Sequence, residues 1–437
     1  MNRKLNMAAL VLLVCIVLCG CGMRTVDQMY AVPRRSAEYE DLQIAIDNAM
    51  MDLQYCAPVS GENRQSVQMA DLDGDGEDEY LLFAKGSTDD PLKIFIFDMD
   101  FSMVQILESR GTRFETVEYI DMDNVPGKEL VVGVQVSDQV LGYMSVYSFA
   151  DSQPRQMMVT NYSKFVPADL DMDGLTDLMV IAPGSSAEDN AVVTLYRWQK
   201  DSIVRSRESM LSGSQQNIKR IMVSPIHGGE NAVYVASSLE ENAIITDVFA
   251  LKDGHFTNVS LSNESGTSMQ TLRNHYVYAD DIDDDGILEL PCLMDMVSIH
   301  NLPISSTHHL IRWYSMTIHG QEVEKMYTFH DYDAGWYLTL DREWASRISV
   351  VREGSAHTFY VWNANIEKAE KLLTIHALSG PDRDLEARLD DRIELHKTDA
   401  TIYAAKLEVA ALSYGLTPEN LQNSFHLIQR DWMTGET

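Results

Sequence analysis

The sequence predicts a mainly β protein, a β-propeller of about five four-stranded blades followed by a small α+β domain. Three observations predict it. An acidic loop recurs along residues 61–325, an aromatic-rich alternating segment follows each loop at a similar distance, and the repeat stops near Tyr327. The expected division is residues 1–20, 21–35, 36–60, 61–325 and 326–437, taken below in that order.

Residues 1–20 read as a targeting signal. Arg3 and Lys4 form a short positive segment, and Met7 to Leu18 is an unbroken apolar run. A dozen apolar residues suit a signal peptide and are too few to span a bilayer comfortably. Leu18-Cys-Gly20-Cys21 follows, and it resembles the lipobox of bacterial lipoproteins. The resemblance implies cleavage after Gly20 and lipidation of Cys21, which anchors the chain in a lipid bilayer at an extracytoplasmic face. Two or three acyl chains anchor stably where one binds only marginally. Residues 21–35, with Pro33 and little apolar periodicity, read as a tether.

Hydrophobic residues make up 45% of the chain, which is globular composition. Net charge is -32, and removing residues 1–20 leaves 32 basic against 66 acidic residues, or -34. Such a surface disfavours nucleic acid and favours cations. Without residues 1–20 and the modified Cys21, only Cys56 and Cys292 remain. They could pair in an oxidising exterior, but two cysteines make no framework, and free thiols are the expectation.

Ser36 to Tyr55, within the 36–60 segment, reads as a helix. Ser36 is a candidate cap, and Leu42, Ile46, Met50 and Leu53 recur at helical spacing.

Four segments of the repeat align. They are Asp71-Leu-Asp73-Gly-Asp75-Gly76-Glu-Asp-Glu79, Asp121-Met-Asp123-Asn-Val125-Pro126-Gly-Lys-Glu129, Asp169-Leu-Asp171-Met-Asp173-Gly174-Leu-Thr-Asp177 and Asp281-Ile-Asp283-Asp-Asp285-Gly286-Ile-Leu-Glu289. The last interval is a little over twice the others, so an eroded copy belongs near residue 225, where Gly228-Gly229 keeps a turn without the acids. Carboxylates at positions 1, 3 and 5 converge when the loop curls, and glycine at position 6 supplies the positive φ that closes it. With a backbone carbonyl at position 7 and the acid at position 9, the donors are all oxygen and suit Ca2+. About three sites are expected, from the first, third and fourth loops. Asp121, Asp123 and Glu129 form a degenerate loop, since Val125 and Pro126 replace the acid and the glycine.

Helical calcium motifs need an acid at position 12 and a helix after the loop. Position 12 here is Leu82, Val180 or Cys292 in the three full copies, and short apolar runs follow the loops. Pro291 demotes the last of these to an edge or a bulge. A loop followed by a strand resembles the FG-GAP and VCBS repeats of integrin-α-type propellers, over about residues 66–320. That resemblance implies that calcium holds blade geometry rather than ligand. The aromatic segments are Lys93–Phe97, Tyr143–Phe149, Val192–Trp198, Ile244–Phe249 and His309–Tyr314. Their alternation marks strands, and five units of about 50 residues fit four-stranded blades.

Residues 326–437 read as strands at Trp336–Leu340, Ile348–Arg352, Thr358–Trp362 and Lys371–Ile375. Ile402–Ala405 opens a strand or a helix, and a helix is expected over Pro418–Asp431, capped by Thr417. The chain has no Gly-x-Ser-x-Gly elbow, His-Glu-x-x-His zinc helix or phosphate loop. His308-His309 reads as structural. Trp336, Trp344 and Trp362 read as packing rather than as a glycan platform. Two functions follow as expectations. One is a lipid-anchored, calcium-binding, non-catalytic surface module for an extracytoplasmic protein or glycan. The alternative is a surface enzyme acting on polysaccharide or cell wall, with its site in the C-terminal domain.

Overall fold

The computed structural model describes residues 37–87, 91–137, 142–150, 154–186, 189–240, 243–262, 264–274, 277–297, 310–364 and 367–428. The expected signal, tether, Cys21, Ser36 cap and His308-His309 lie outside these residues. Among them, no helix is long and apolar enough to cross a membrane.

The chain forms two compact units. The first gathers the described residues up to Ala57 with Gln65–Ala70 and Glu77–Ser109; the second holds Pro58–Arg64, Asp71–Gly76 and Arg110 onward.

In the first unit, helix α1 (Ala37–Met50) precedes β1 (Gln54–Tyr55), β2 (Val67–Ala70), β3 (Glu79–Lys85), β4 (Leu92–Phe97) and β5 (Met103–Ser109). Strands β2 to β5 form an antiparallel meander, and β1 adds to the free end of β3. Leu42 and Ile46 of α1 bury against Leu82, Ala84, Phe95 and Phe97, so the apolar helix stripe covers one sheet face. The helix stops short of the expected Tyr55, because Gln54 and Tyr55 pair with Lys85 and Ala84 instead.

The second unit repeats the meander. Its next sheet is β6 (Arg113–Ile120), β7 (Glu129–Gln135), β8 (Gly142–Ser148) and β9 (Arg155–Tyr162). Then come β10 (Lys164–Ala168), β11 (Asp177–Ala182), β12 (Val192–Gln199) and β13 (Ser202–Arg205), with β14 (Ser209–Met210) on β12. The fourth sheet is β15 (Ile218–Pro225), β16 (Asn231–Glu240), β17 (Ala243–Lys252) and β18 (His255–Asn258). A fifth holds β19 (Leu290–Met294), β20 (Leu310–Met316), β21 (Glu322–Asp331) and β22 (Trp336–Leu340). Strand β19 sits at its edge, as Pro291 requires. The sixth holds β23 (Ile348–Glu353), β24 (Ala356–Asn363), β25 (Lys368–Ser379), β26 (Ile393–Lys397) and β27 (Thr401–Leu407). All pairings within these sheets are antiparallel.

Sheets in this unit pack on their neighbours in chain order. Val131, Val146, Leu178 and Val180 join the second and third; Ile181, Leu195, Val233 and Phe249 join the third and fourth. Tyr234, Val248, Leu290 and Tyr314 join the fourth and fifth. Phe329, Trp336, Phe359 and Leu373 join the fifth and sixth. The alternating aromatic segments thus have one face in each interface, which is why they carry the bulkiest residues.

Among the C-terminal residues, the structure corrects the terminal helix. Strand β21 runs across the 325/326 division. The region beyond it holds a five-stranded sheet with only short helices. The terminal helix is Pro418–Ser424, capped by Thr417 as expected, but Phe425–Leu427 becomes strand β28 on β22. Phe425 stacks on Trp336 at 5.5 Å, and that contact outweighs helical propensity. Trp336 and Trp344 are buried, so neither offers a platform. Cys56 and Cys292 are free thiols.

A buried carboxylate ties the fourth sheet together. Asp247 on β17 accepts from Ser212 N and Oγ (2.8 and 2.7 Å), Asn258 Nδ2 (2.8 Å) and Ser268 Oγ (2.6 Å). Burial pushes its carboxyl up, and the four donors oppose that shift. Replacing Asp247 by Ala strands all four donors in the interior, at a cost of roughly 3–5 kcal/mol. Denaturant unfolding checks this, and a loss below about 1 kcal/mol would show that the cluster is not the tie described.

Candidate metal centre

The acidic loops occupy one position in the fold. Each joins the first and second strands of a meander, at 71–79, 121–129 and 169–177; the eroded copy joins β15 to β16 in the same way. In the fifth sheet the first strand is reduced to a bridge, Asp280 with Glu289, around the 281–289 loop. Strands β3, β7 and β11 begin at position 9, so a strand and not a helix follows the loop.

Four local features shape each loop. The apolar residue at position 2, which is Leu72, Met122, Leu170 or Ile282, is buried and anchors the loop to the core. In three loops the carboxylate at position 1 accepts two backbone N–H groups, and Asp121 accepts that of Asn124 (3.1 Å). Asp169 takes those of Asp173 (3.2 Å) and Gly174 (3.0 Å), Asp281 those of Asp285 (3.0 Å) and Gly286 (2.8 Å), and Asp71 those of Gly74 (2.7 Å) and Gly76 (3.2 Å). The acid at position 9 accepts the N–H of position 2: Met122 to Glu129 (2.8 Å), Leu170 to Asp177 (3.1 Å) and Ile282 to Glu289 (3.2 Å). Position 6 has the expected positive φ at Gly76, Gly174 and Gly286. Position 4 has it too, in Asn124, Met172 and Asp284, a feature that non-glycine residues conceal in the sequence.

The structure brings the predicted ligands together. Asp169, Asp171 and Asp173 offer oxygens within 4.8 Å of one another, and so do Asp281, Asp283 and Asp285. Asp177 and Glu289 stand behind these trios, buried. Asp71, Asp73 and Asp75 belong to the second unit and Glu79, at the start of β3, to the first. In the loop expected to be degenerate, Asp121, Asp123 and Glu129 also offer oxygens within 4.8 Å of one another. Its turn glycine has moved one place, to Gly127 with φ 101°, and Glu129 takes the place left by Val125.

Consecutive loops are bonded to one another at fixed positions. Position 8 of one copy donates to position 1 of the copy before it. Lys128 N donates to Asp71 O (3.0 Å) and Thr176 N to Asp121 O (2.7 Å). The eroded copy keeps both roles: Asn231 Nδ2 donates to Asp169 O (2.6 Å), and Ser224 Oγ accepts from Leu288 N (3.1 Å). Approach is closest between the first two loops, where a Cβ on Gly127 would meet Leu72 O at 2.3 Å.

Burial and crowding of acids dominate the electrostatics of the loops. Burial, then neighbouring acids, push Glu129 up to about 7, despite the bond from Met122. Asp177 is raised to about 7 and Glu289 to about 8, burial again being the largest cause. The Oε1 atom of Glu289 is buried and accepts no hydrogen bond. The all-oxygen donor sets of the loops suit a hard divalent ion.

Two basic residues that no sequence pattern flagged touch these loops. Arg197 pairs with Asp171 at 3.0 Å, and Lys325 lies among Asp283, Asp285 and Glu289. Both are distant in sequence, so no spacing rule could reveal them. A cleft of about 400 Å³ adjoins the fourth loop, lined by Asp280, Asp281, Asp284, Tyr337, Phe425 and His426 among others.

Fold and site together define a mainly β protein of successive antiparallel sheets whose linking loops could hold metal ions. No family model matches the chain. No curated protein matches it either. Among solved structures it is similar to the Bacillus licheniformis rhamnogalacturonan lyase PL11, at 11% identity over 73% of this chain and 72% of that one, with a TM-score of 0.34. It is similar to the exotype rhamnogalacturonan lyase YesX at 10% identity, over 75% and 67%, with a TM-score of 0.30. Sqt1 from Chaetomium thermophilum matches at 11%, over 72% and 87%, with a TM-score of 0.30. Likeness at this level assigns neither an activity nor a ligand.

Two predictions follow from the loop chemistry. Glu129, Asp177 and Glu289 have folded-state pKa values above the unfolded value of about 4. Protonation therefore favours the metal-free fold, a contribution fully present below about pH 4 and lost as pH rises through 7 to 8. Melting temperature in chelator should fall across that window and less so with Glu289→Gln; a profile that rises with pH would refute the assignment. The second concerns backbone strain. Gly286→Ala should cost about 1–2 kcal/mol, the left-handed penalty alone. Gly127→Ala should cost more, because its Cβ also strikes Leu72 O, and equal losses in denaturant titrations would contradict the close approach.

Proposed function

We propose that the chain is an exported lipoprotein, held on the extracytoplasmic face of a membrane through Cys21, whose sheets are the blades of a calcium-stabilised propeller. It serves as a non-catalytic surface module that binds a protein or a glycan. The observation that carries the reading is the return of the acidic cluster to the same point of successive meanders. Face-to-face packing of sheets in chain order supports the propeller. The Leu18–Cys21 motif supports the anchor.

Calcium would supply charge neutralisation for carboxylates otherwise crowded together. Positions 1, 3, 5 and 9 would hold it, and the position 9 acid would pass its restraint to position 2 and hence to the core. The bonds between consecutive loops would then carry that restraint from one sheet to the next. Net charge of -32 speaks against a nucleic-acid partner.

Calorimetric titration of the full-length protein in detergent, after chelation, tests the calcium reading. About three ions with dissociation constants of roughly 0.1–1 mM are expected. Asp171→Ala should remove one of them, and no uptake at 5 mM calcium would sink the idea. For the anchor, radiolabelled palmitate should enter the wild-type protein and not Cys21→Ser; equal labelling of both would exclude it.

The cleft beside the fourth loop favours a second reading, a surface enzyme acting on polysaccharide or cell wall. Carboxylates of Asp280 and Asp284 face aromatic walls there, with Tyr337 stacked on His426 at 4.8 Å. Polysaccharide turnover abolished by Asp280→Asn or Asp284→Asn would favour that reading over the binding module.

A further inference from the structure

The loops do not share one way of neutralising their carboxylates. The fourth has a lysine inside it. Lys325 Nζ lies 3.5 Å from Asp283 Oδ2 and 3.8 Å from Glu289 Oε1, and it hydrogen-bonds Asp285. It therefore reaches positions 3, 5 and 9 at once, the carboxylates among which a divalent ion would sit. The arm of Arg197 reaches only Asp171 in the third loop. No described basic side chain forms an ion pair with Asp121, Asp123 or Glu129.

A recurrent backbone irregularity puts Lys325 there. In three sheets the residue after position 9 pairs with an aromatic residue, and the next strand carries one extra residue opposite it. Tyr80 pairs with Phe97, Leu130 with Tyr147 and Leu290 with Tyr314. Phe97 faces Met103 while Ile96 faces Gln105, so Val104 is the bulged residue. In the same way Met157 is bulged between Gln156 and Met158, and Lys325 between Glu324 and Met326. A β-bulge re-aims its side chain. Two sheets thus hold an apolar residue at this bulge, and the fifth holds an ammonium.

We propose that Lys325 is the resident cation of the fourth loop, so that this loop stays closed without the metal that the others take. Glu289 gives the arrangement its physical need. Its Oε1 is buried and accepts no hydrogen bond, and the Lys325 ammonium 3.8 Å away is the cationic group that faces it. An intrachain lysine keeps one loop formed whatever the surrounding calcium concentration. The contrast with the other loops rests on the calcium reading above, whereas the role of the ammonium itself does not.

The test counts ions and then removes them. Full-length wild-type protein in detergent is titrated with calcium beside Asp283→Asn and Lys325→Met, the latter placing at the bulge the residue found at Met157. Expected is an unchanged ion count for Asp283→Asn and one additional ion for Lys325→Met, lost again in the double variant. An ion lost on Asp283→Asn alone overturns the proposal, because metal would then displace the lysine; this arm also decides the case where Lys325→Met does not fold. Should the wild-type protein take up no calcium, the calcium reading fails and the lysine is judged by melting in excess chelator. There Lys325→Met should lower the melting temperature by several degrees, with Lys325→Arg recovering most of it. No change in that temperature overturns the proposal.

Discussion

Much of the second unit hangs on one small hydrogen bond. Position 8 of each later loop donates to position 1 of the loop before it, and where that acceptor is Asp71, Asp121 or Asp169 it also begins the curl that gathers the acids. The bond therefore joins two scales of structure. It links neighbouring loops, and it fixes the end of the loop from which the carboxylates project. The eroded copy shows which part of the loop this spacing requires: its acids are gone, yet Ser224 and Asn231 still make the link with side chains. Registry between sheets is thus kept without charge, and the charges are an addition to it.

That addition is costly in isolation. Each loop turns acids toward one point, and the acid at position 9 stands buried behind them. Three remedies are available to such a cluster: a metal ion, a proton or a basic side chain. The raised pKa values of Glu129, Asp177 and Glu289 express the second. Basic side chains supply the third in two loops, Lys325 in the fourth and Arg197 at Asp171 in the third. A basic residue two strands away thus enters one loop and not another of similar sequence.

What the sequence itself determined was local. An acidic triad, a glycine and a following apolar run are enough to define a loop that enters a strand, since carboxylates, backbone N–H groups and positive φ act within nine residues. Alternation in Tyr143–Phe149 or Val192–Trp198 marks strands for the same reason, as a strand with a buried face shows it every second residue. The Thr417 cap and the edge position of Pro291 were legible in this way as well. Tertiary structure decided the rest. Gly127 could replace a glycine at position 6 because the backbone of the neighbouring loop comes so near. Phe425 left a helical pattern to stack on Trp336, 89 residues earlier. Lys325 reached the fourth loop because a bulge turns it there, and neither the bulge nor its partners across the sheet leave a trace in the spacing of residues. Short-range hydrogen bonding and periodicity are written in the order of the residues, whereas charge balance and close approach depend on which distant strands come to lie side by side.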